Sequence, residues 1–402
     1  MIVGASLAGA KAAETLRVAG FEGRITLIGE EPARPYERPP LSKGYLRGEQ
    51  PFDTATVHPA GFYDDHDIDL RTSTTVTAID PYSSEVEVKG GERVAYDRLL
   101  LTTGAAPRRL SVPGADHEAV KYLRTVAESD EIREAAVAGG PIVVIGAGWI
   151  GSEVAASARQ LGAAVSVVDV VSVPLERVLG TEMGAVYRDL HAEHGVTFHL
   201  GVGIESIHGD RSVQEVKLTD GTVLPAGAVV VGVGVLPRAE LAQAAGLEVD
   251  NGVVTDEYLE TSVPGIYAAG DVANAYHPHY RRRFRLEHWS SALNQGPAAA
   301  WSMLGQKQAY DKIPYFFSDQ YDFGMEYRGW STATDEVVIR HGETEYEFLA
   351  FWLRQSRVVA AMNANIWDQG EALETLILSG VQVDRDTLTD PDRELSSLTA
   401  LR

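Results

Sequence analysis

The sequence predicts an α/β protein with two doubly wound nucleotide-binding domains, one inserted in the other, plus a C-terminal α+β domain. A pattern of strand, glycine turn, helix and strand begins at residue 1 and occurs again from residue 142. Pro-containing stretches at residues 105–113 and 235–237 indicate where the chain leaves the first unit and returns to it. From residue 311 onward, alternating apolar and polar segments favour an antiparallel sheet.

Length and composition exclude several classes of protein. The 402 residues exceed one ordinary domain, and 45% hydrophobic with 23% charged residues is typical of a soluble globular chain. A formal net charge of −22 argues against a nucleic-acid partner, which requires Lys and Arg to neutralise phosphates. Without a long apolar run or a leader pattern at residue 1, we expect a cytoplasmic protein with no membrane partner.

The chain contains no cysteine. This excludes disulfides, thiolate catalysis and cysteine-ligated metal clusters within the chain, and we predict no metal site. Any redox chemistry must therefore use a bound organic cofactor, and the electrons must pass to another molecule.

The second glycine motif follows the apolar residues 142–145. Gly146 permits the turn, Gly148 lets the backbone approach a pyrophosphate, and Gly151 lets the helix pack on the strand. Asp169 ends the next strand, close to the position expected for an acid that binds ribose. The alternative is a purely structural turn with a solvated acid. The predicted NAD contacts are Gly146, Gly148, Ile150, Gly151, Asp169, Arg177 and Gly234.

The first glycine motif is incomplete. Gly4 and Gly9 hold the outer positions, but Ser6 holds the middle one. Glu30, after the second strand, is the candidate ribose-binding acid. Farther along the chain, Asp271 stands beside Gly270 just past a predicted strand, where doubly wound folds bind ligands. The alternative for Asp271 is a helix cap.

Together these segments resemble the FAD-dependent pyridine-nucleotide reductases, and more closely their ferredoxin and rubredoxin reductase branch, which includes reductases of oxygenase systems. The most specific segment is residues 34–43, RPYERPPLSK, which is similar to the flavin-contacting loop of that branch. Residues 314–321 resemble the opening of the family's C-terminal domain. The sequence departs from the family at Ser6, at Asp169, where glutamate is more usual, and at Arg238, where a small polar residue is typical.

The resemblance implies two catalytic residues, Lys43 beside the isoalloxazine ring and Glu153 paired with it. The implied FAD contacts are Gly4, Ser6, Gly9, Glu30, Arg38, Lys43, Val76, Arg124, Asp271 and Trp289. By residue type alone, Lys43 could be a surface lysine, Glu153 could favour its helix N-terminus, and Trp289 could belong to the core.

The resemblance implies a flavoprotein that oxidises NADH through FAD and reduces a ferredoxin-type iron–sulfur protein of an oxygenase system, as a monomer or weak dimer. The implied domains are FAD-binding (residues 1–112 and 237–310), NAD-binding (113–236) and interface (311–402). Two alternatives stay open: a reductase of a small quinone or radical acceptor, and a redox sensor or interaction protein that binds FAD and NADH. The Arg-rich residues 280–285, YRRRFR, are a candidate docking patch, or else a solvated loop.

Overall fold

The computed structural model describes residues 1–209 and 213–399. The chain forms two compact units, and each gathers separate stretches of sequence. Unit 1 contains Met1–Arg38, Pro51–Ala106 and Val235–Lys312, whereas unit 2 contains Pro39–Gln50, Pro107–Gly234 and Ile313–Arg402. The two doubly wound sheets and the antiparallel C-terminal sheet of the predicted fold class are confirmed. The predicted domain boundaries stay a prediction, since this division follows contacts and not function.

Unit 1 is built on a parallel sheet. Its strands lie in the order Ile266–Ala268, Leu99–Leu101, Ile2–Val3, Ile25–Ile28 and Ile68–Arg71. The central strands are short and mostly apolar because both faces of the sheet are covered. The helices Leu7–Val18 and Trp289–Met303 pack on one face, and apolar residues of the antiparallel strands at residues 76–94 pack on the other. The helices Leu7–Val18 and Trp289–Met303 approach closely, since a Cβ atom at Gly296 would collide with the carbonyl oxygen of Ala8.

Smaller elements complete unit 1. The strands Val76–Asp80, Glu85–Val88 and Arg93–Ala95 form an antiparallel sheet. Val253–Thr255 pairs in parallel with Ala273–His277, which pairs antiparallel with Arg282–Phe284. The remaining elements are the short helices Phe62–Asp65 and Glu240–Ala244 and the 3₁₀ turns Phe52–Ala55 and Gly270–Val272. Two short strands, Ala105–Pro107 and Val235–Pro237, stand where the chain passes between the units.

Unit 2 contains a second parallel sheet. Its strands lie in the order Thr197–Leu200, Val165–Asp169, Ile142–Ile145, Ala228–Val231 and Val120–Tyr122. The accompanying helices are Val126–Val137, Trp149–Gln160 and Glu176–Glu193. A capping box of Thr125 and Glu128 begins the first of them. An antiparallel sheet follows, made of Ile204–His208, Glu215–Leu218 and Val223–Pro225.

The C-terminal part of unit 2 is an antiparallel sheet with helices, as the sequence predicted. The strands lie in the order Tyr315–Gln320, Phe323–Gly329, Arg357–Ala364, Phe348–Arg354 and Glu336–His341. The helices are Gly370–Ser379, Arg385–Thr389 and Leu395–Leu398, and the 3₁₀ turn Pro39–Ser42 also belongs to unit 2.

One helix explains why this sheet groups with the second parallel sheet. The helix Glu176–Glu193 buries Leu179, Met183 and Tyr187 in one cluster with the C-terminal aromatic residues Phe316 and Phe323. Met183 and Tyr187 are four positions apart and share one face of the helix, whereas Leu179 precedes a break in the helix at Gly180, whose φ is +83°. Within residues 1–209 and 213–399, no helix has the length and apolar character needed to cross a membrane.

Candidate nucleotide and redox site

Unit 1 contains a cleft of about 270 Å³ at the carboxyl ends of its parallel strands. This is the edge at which doubly wound sheets bind nucleotides. The predicted FAD contacts that line the cleft are Gly4, Ser6, Glu30, Arg38 and Val76. These residues are spread over the sequence from Gly4 to Val76, and the structure brings them together at one cleft. This supports a single binding site for them.

The glycine turn of the cleft has the geometry that its motif requires. Gly4 has a φ of +120°, and a Cβ atom there would collide with the backbone of Thr102. The hydroxyl of Thr102 donates to the Gly4 carbonyl oxygen at 2.7 Å. Gly9 lies against Gly4, so the helix packs closely on the turn. Ser6 is the N-cap of this helix but makes no side-chain capping bond, which leaves the first-turn N–H groups available to an anion.

The candidate ribose-binding acid, Glu30, forms an ion pair with Arg238. Both guanidinium Nη atoms of Arg238 contact the carboxylate, and the Nη2–Oε2 distance is 2.9 Å. The hydrogen bond from Arg238 is the main cause that lowers the pKa of Glu30, against the opposing effect of burial. The sequence marked Arg238 only as a departure from the family, and the structure places it in the cleft wall beside Glu30.

The other predicted FAD contacts lie outside the lining of this cleft. Asp271 lies in the turn Gly270–Val272, and its carbonyl oxygen accepts from Arg285 at 3.4 Å. Trp289 begins a helix and donates its indole N–H to Glu37 Oε2 at 3.0 Å. Burial raises the pKa of Glu37, and the bond from Trp289 opposes that rise. Arg124 belongs to unit 2, where its backbone N–H donates to Glu128.

The glycine turn of unit 2 also fits a dinucleotide. Gly146 has a φ of +106°, and Cβ atoms at Gly146 and Gly151 would collide with neighbouring backbone. At Gly148 a Cβ atom would meet no heavy atom within 4 Å, so this position is open to a ligand. Asp169 Oδ2 accepts from the backbone N–H of Ala147 at 2.7 Å. The carboxylate therefore lies against the glycine turn.

The remaining predicted NAD contacts are at the surface of unit 2 or in open turns. The side chain of Ile150 is 42% exposed, and Arg177 is exposed in the first turn of the helix Glu176–Glu193. Gly234 has a φ of +98° and open space where a Cβ atom would stand. These positions leave all three accessible to a ligand.

The ion pair predicted between Lys43 and Glu153 is present in unit 2. The Nζ–Oε2 distance is 2.6 Å, and the two side chains are 12% and 5% exposed. Ser42 Oγ donates to Glu153 Oε2 at 2.5 Å, and Ser318 Oγ donates to Oε1 at 2.7 Å. Lys43 is therefore not a surface lysine, and Glu153 does more than favour a helix terminus. Their catalytic role stays a prediction.

Sequence reasoning missed the two serines at this ion pair. Ser42 directly precedes Lys43 in the predicted flavin-contacting loop at residues 34–43, so its place next to Lys43 could have indicated a contact with the ion pair. Ser318 lies in residues 314–321, which resemble the opening of the family's C-terminal domain. No local feature of the sequence indicated that it would contact Glu153, which is 165 positions away. Among residues 1–209 and 213–399, no group of three or more acidic or histidine side chains is arranged to hold a metal ion.

Comparison with known proteins gives matches over nearly the whole chain. Residues 1–296 match the pyridine nucleotide-disulphide oxidoreductase family, and residues 315–399 match the reductase C-terminal family. The chain is 37% identical to the ferredoxin reductase subunit of 5,5′-dehydrodivanillate O-demethylase from Sphingobium sp., with 100% of this chain and 98% of the relative covered. It is also 37% identical to putidaredoxin reductase from Pseudomonas putida, with 100% and 96% covered.

Solved structures agree with these matches. The covalent putidaredoxin reductase–putidaredoxin complex gives a TM-score of 0.95 at 36% identity, covering 99% of this chain and 97% of the matched one. The ferredoxin reductase for the CYP199A2 system of Rhodopseudomonas palustris gives 0.95 at 35% identity, with 98% of each chain covered.

Proposed function

Because the chain belongs to the pyridine nucleotide-disulphide oxidoreductase family, we propose that it oxidises NADH through FAD and reduces a ferredoxin-type iron–sulfur protein of an oxygenase system. The observation that carries this proposal is the full-length similarity to ferredoxin reductases of such systems. The absence of cysteine agrees with it, since this chain has no thiol pair to receive electrons. The predicted cytoplasmic location and the monomeric or weakly dimeric state stay predictions.

The cleft of unit 1 fits the adenosine diphosphate half of FAD. The turn of Gly4 and Ser6 presents helix N–H groups to a diphosphate. Arg38 also lies at the cleft wall, where it pairs with Glu31 at 2.9 Å. Glu30 would bind ribose hydroxyls, so Arg238 would have to share or release its carboxylate. The second glycine turn and Asp169 would bind NADH in the same manner.

Bound FAD supplies the step that the side chains cannot, since it takes up two electrons with a hydride and returns them singly. The balanced reaction converts one NADH and two oxidised carriers into NAD⁺, two reduced carriers and one proton. The protein aligns the reactants and sets the local charge. We propose that Lys43 provides a positive charge beside the isoalloxazine and that Glu153 holds this ammonium group in place.

Steady-state assays of the FAD-reconstituted protein test the function. We expect rapid NADH oxidation with ferricyanide, and a rise of at least about tenfold in cytochrome c reduction when a [2Fe–2S] ferredoxin is added. Equal activity with a small quinone and no stimulation by any of a panel of ferredoxins would indicate the small-acceptor alternative. A long-lived charge-transfer complex with negligible turnover would instead indicate a redox sensor.

Coenzyme choice gives a second test. We expect NADH to be preferred over NADPH by at least about tenfold in kcat/KM, about 1.4 kcal/mol, because the Asp169 carboxylate repels a 2′-phosphate. Replacement of Asp169 by Asn should reduce this preference. The matched control is Glu134→Gln, which removes an exposed acid of the same unit. Equal efficiency of the wild-type protein with both coenzymes would refute the role of Asp169.

A further inference from the structure

A chain of buried polar side chains leads away from Glu153 within unit 2. Ser318 Oγ lies 2.7 Å from Glu153 Oε1, and Gln320 Nε2 lies 3.0 Å from Ser318 Oγ. The side-chain oxygen Oε1 of Gln320 lies 2.7 Å from His191 Nε2. Ser318, Gln320 and His191 are each only 1% exposed. Neither the glycine motifs nor the recognised flavin loop contains any of these three residues.

The carboxylate fixes the direction of every hydrogen bond in this chain. In its ion pair with Lys43 the Glu153 carboxylate accepts hydrogen bonds, so the hydroxyl of Ser318 donates to it. The oxygen of Ser318 then accepts from the Gln320 amide, which turns the carbonyl oxygen of Gln320 toward His191. His191 must therefore carry its proton on Nε2, which leaves Nδ1 to accept from the Tyr321 hydroxyl at 3.3 Å.

The surroundings of His191 keep it neutral. Burial lowers its pKa to about 4; the bond to Gln320 opposes this shift, and His194 adds to it. The other groups that face the ring are Tyr321 and the uncharged ring of Phe198. At neutral pH the imidazole is thus a single neutral tautomer. It can orient Gln320, but it adds no charge to the ion pair.

A second carboxyl group, the exposed side chain of Asp319, also interacts with this ion pair. Asp319 lies between Ser318 and Gln320 in the strand Tyr315–Gln320. Burial raises the pKa of Asp319, Lys43 lowers it, and Glu153 raises it again, so Asp319 interacts electrostatically with both members of the pair. Lys43 therefore has two carboxyl groups within its electrostatic reach. The bonds from Ser42 and Ser318 hold Glu153 in contact with it.

We propose that Ser318, Gln320 and His191 are positioning residues for hydride transfer, which fix the Glu153 carboxylate and, through it, the ammonium group of Lys43. This inference rests on the proposed function, since the place of Lys43 matters only if it lies beside the flavin. It gives the C-terminal sheet a part in flavin reduction that is separate from docking of a partner.

The test compares variants that break this chain of hydrogen bonds with variants that retain it. Ser318→Ala removes the donor to Glu153, whereas Ser318→Thr retains a hydroxyl. His191→Phe removes the donor to Gln320, whereas His191→Gln can supply an amide N–H. In the FAD-reconstituted protein, we expect the disruptive variants to slow flavin reduction at saturating NADH by about tenfold or more, with the dissociation constant for NADH nearly unchanged. The conservative variants should recover most of the rate.

A structural role alone would give a different result. If these hydrogen bonds only join the C-terminal sheet to its helices, the disruptive variants will have a lower melting temperature. Their rate of flavin reduction and their flavin potential will then match those of the wild type. That result would overturn the proposal.

A measurement on the FAD-free protein separates this inference from the proposed function. Long-range ¹⁵N–¹H correlation spectra, assigned with the His191→Gln variant, should show His191 protonated at Nε2 and not titrating between pH 6 and 8. An Nδ1-protonated ring, or titration near neutral pH, would refute the hydrogen-bond direction even if the enzyme reduces ferredoxin. Absence of flavin reduction in the wild type would refute the proposed function and leave this spectroscopic result standing.

Discussion

Replacing Glu153 by glutamine is expected to slow reduction of the flavin by NADH by about a hundredfold while FAD stays bound. Removal of one partner of a buried ion pair leaves the other charge without compensation, which costs about 3–5 kcal/mol in well-studied cases. Lys43, only 12% exposed, would then lose its position and its neutralising neighbour. FAD should remain bound because the predicted contacts Glu30 and Arg38, in the cleft of unit 1, are unchanged.

Anaerobic stopped-flow absorbance measures this rate, and redox titration measures the accompanying shift of the flavin potential. Asp335→Asn is a matched control, since Asp335 is also buried (2% exposed) and pairs with Arg354 at 2.6 Å in the C-terminal sheet. The control should lose stability but retain flavin reduction. If Glu153→Gln reduces flavin at the wild-type rate and potential, the ion pair has no role in hydride transfer.

Reversing the charge of Arg281 and Arg283 is expected to raise KM for ferredoxin by about tenfold or more at low salt. Ferredoxins are usually acidic, as this chain is, so a local basic patch must overcome the long-range repulsion. Both residues are exposed. The run is close to a predicted FAD contact, because Arg285, at its end, donates to the carbonyl oxygen of Asp271.

The variant Arg281→Glu/Arg283→Glu should lose most of its defect at high salt, where the wild-type attraction is screened. Turnover with ferricyanide should hardly change, since this small acceptor needs no protein surface. Arg24→Glu is the matched control, because Arg24 is exposed and directly precedes the strand Ile25–Ile28. It therefore lies at the amino end of this strand, whereas the cleft is at the carboxyl ends. Wild-type ferredoxin kinetics in the double variant at low salt would place docking elsewhere.

Local features of the sequence predicted the parts of the site that depend on local backbone geometry. Gly4 and Gly146 were identifiable because each directly follows an apolar strand and must take a positive φ. The contact between Lys43 and Glu153 was predictable only through family resemblance, because no helix or strand periodicity joins residues so far apart.

Long-range polar contacts escaped prediction for the same physical reason. Glu30 and Arg238 are 208 positions apart, and His191 and Gln320 are 129 apart. A serine, a glutamine and a histidine are ordinary residues until tertiary packing buries them together. Likewise, nothing in the sequence indicated that the helix Glu176–Glu193 would pack against the C-terminal aromatic residues.

The strand order of unit 1 has a consequence for synthesis of the chain on the ribosome. Leu99–Leu101 pairs with Ile266–Ala268, and the helix Leu7–Val18 packs on Trp289–Met303. All strands of the parallel sheet of unit 2 lie between residues 120 and 231. They are therefore translated before the strand Ile266–Ala268, which completes the sheet of unit 1. Until translation passes residue 303, the early strands keep an unpaired edge and the first helix an uncovered face. Nascent chains that stall in this interval would be the species most prone to aggregate or to recruit chaperones.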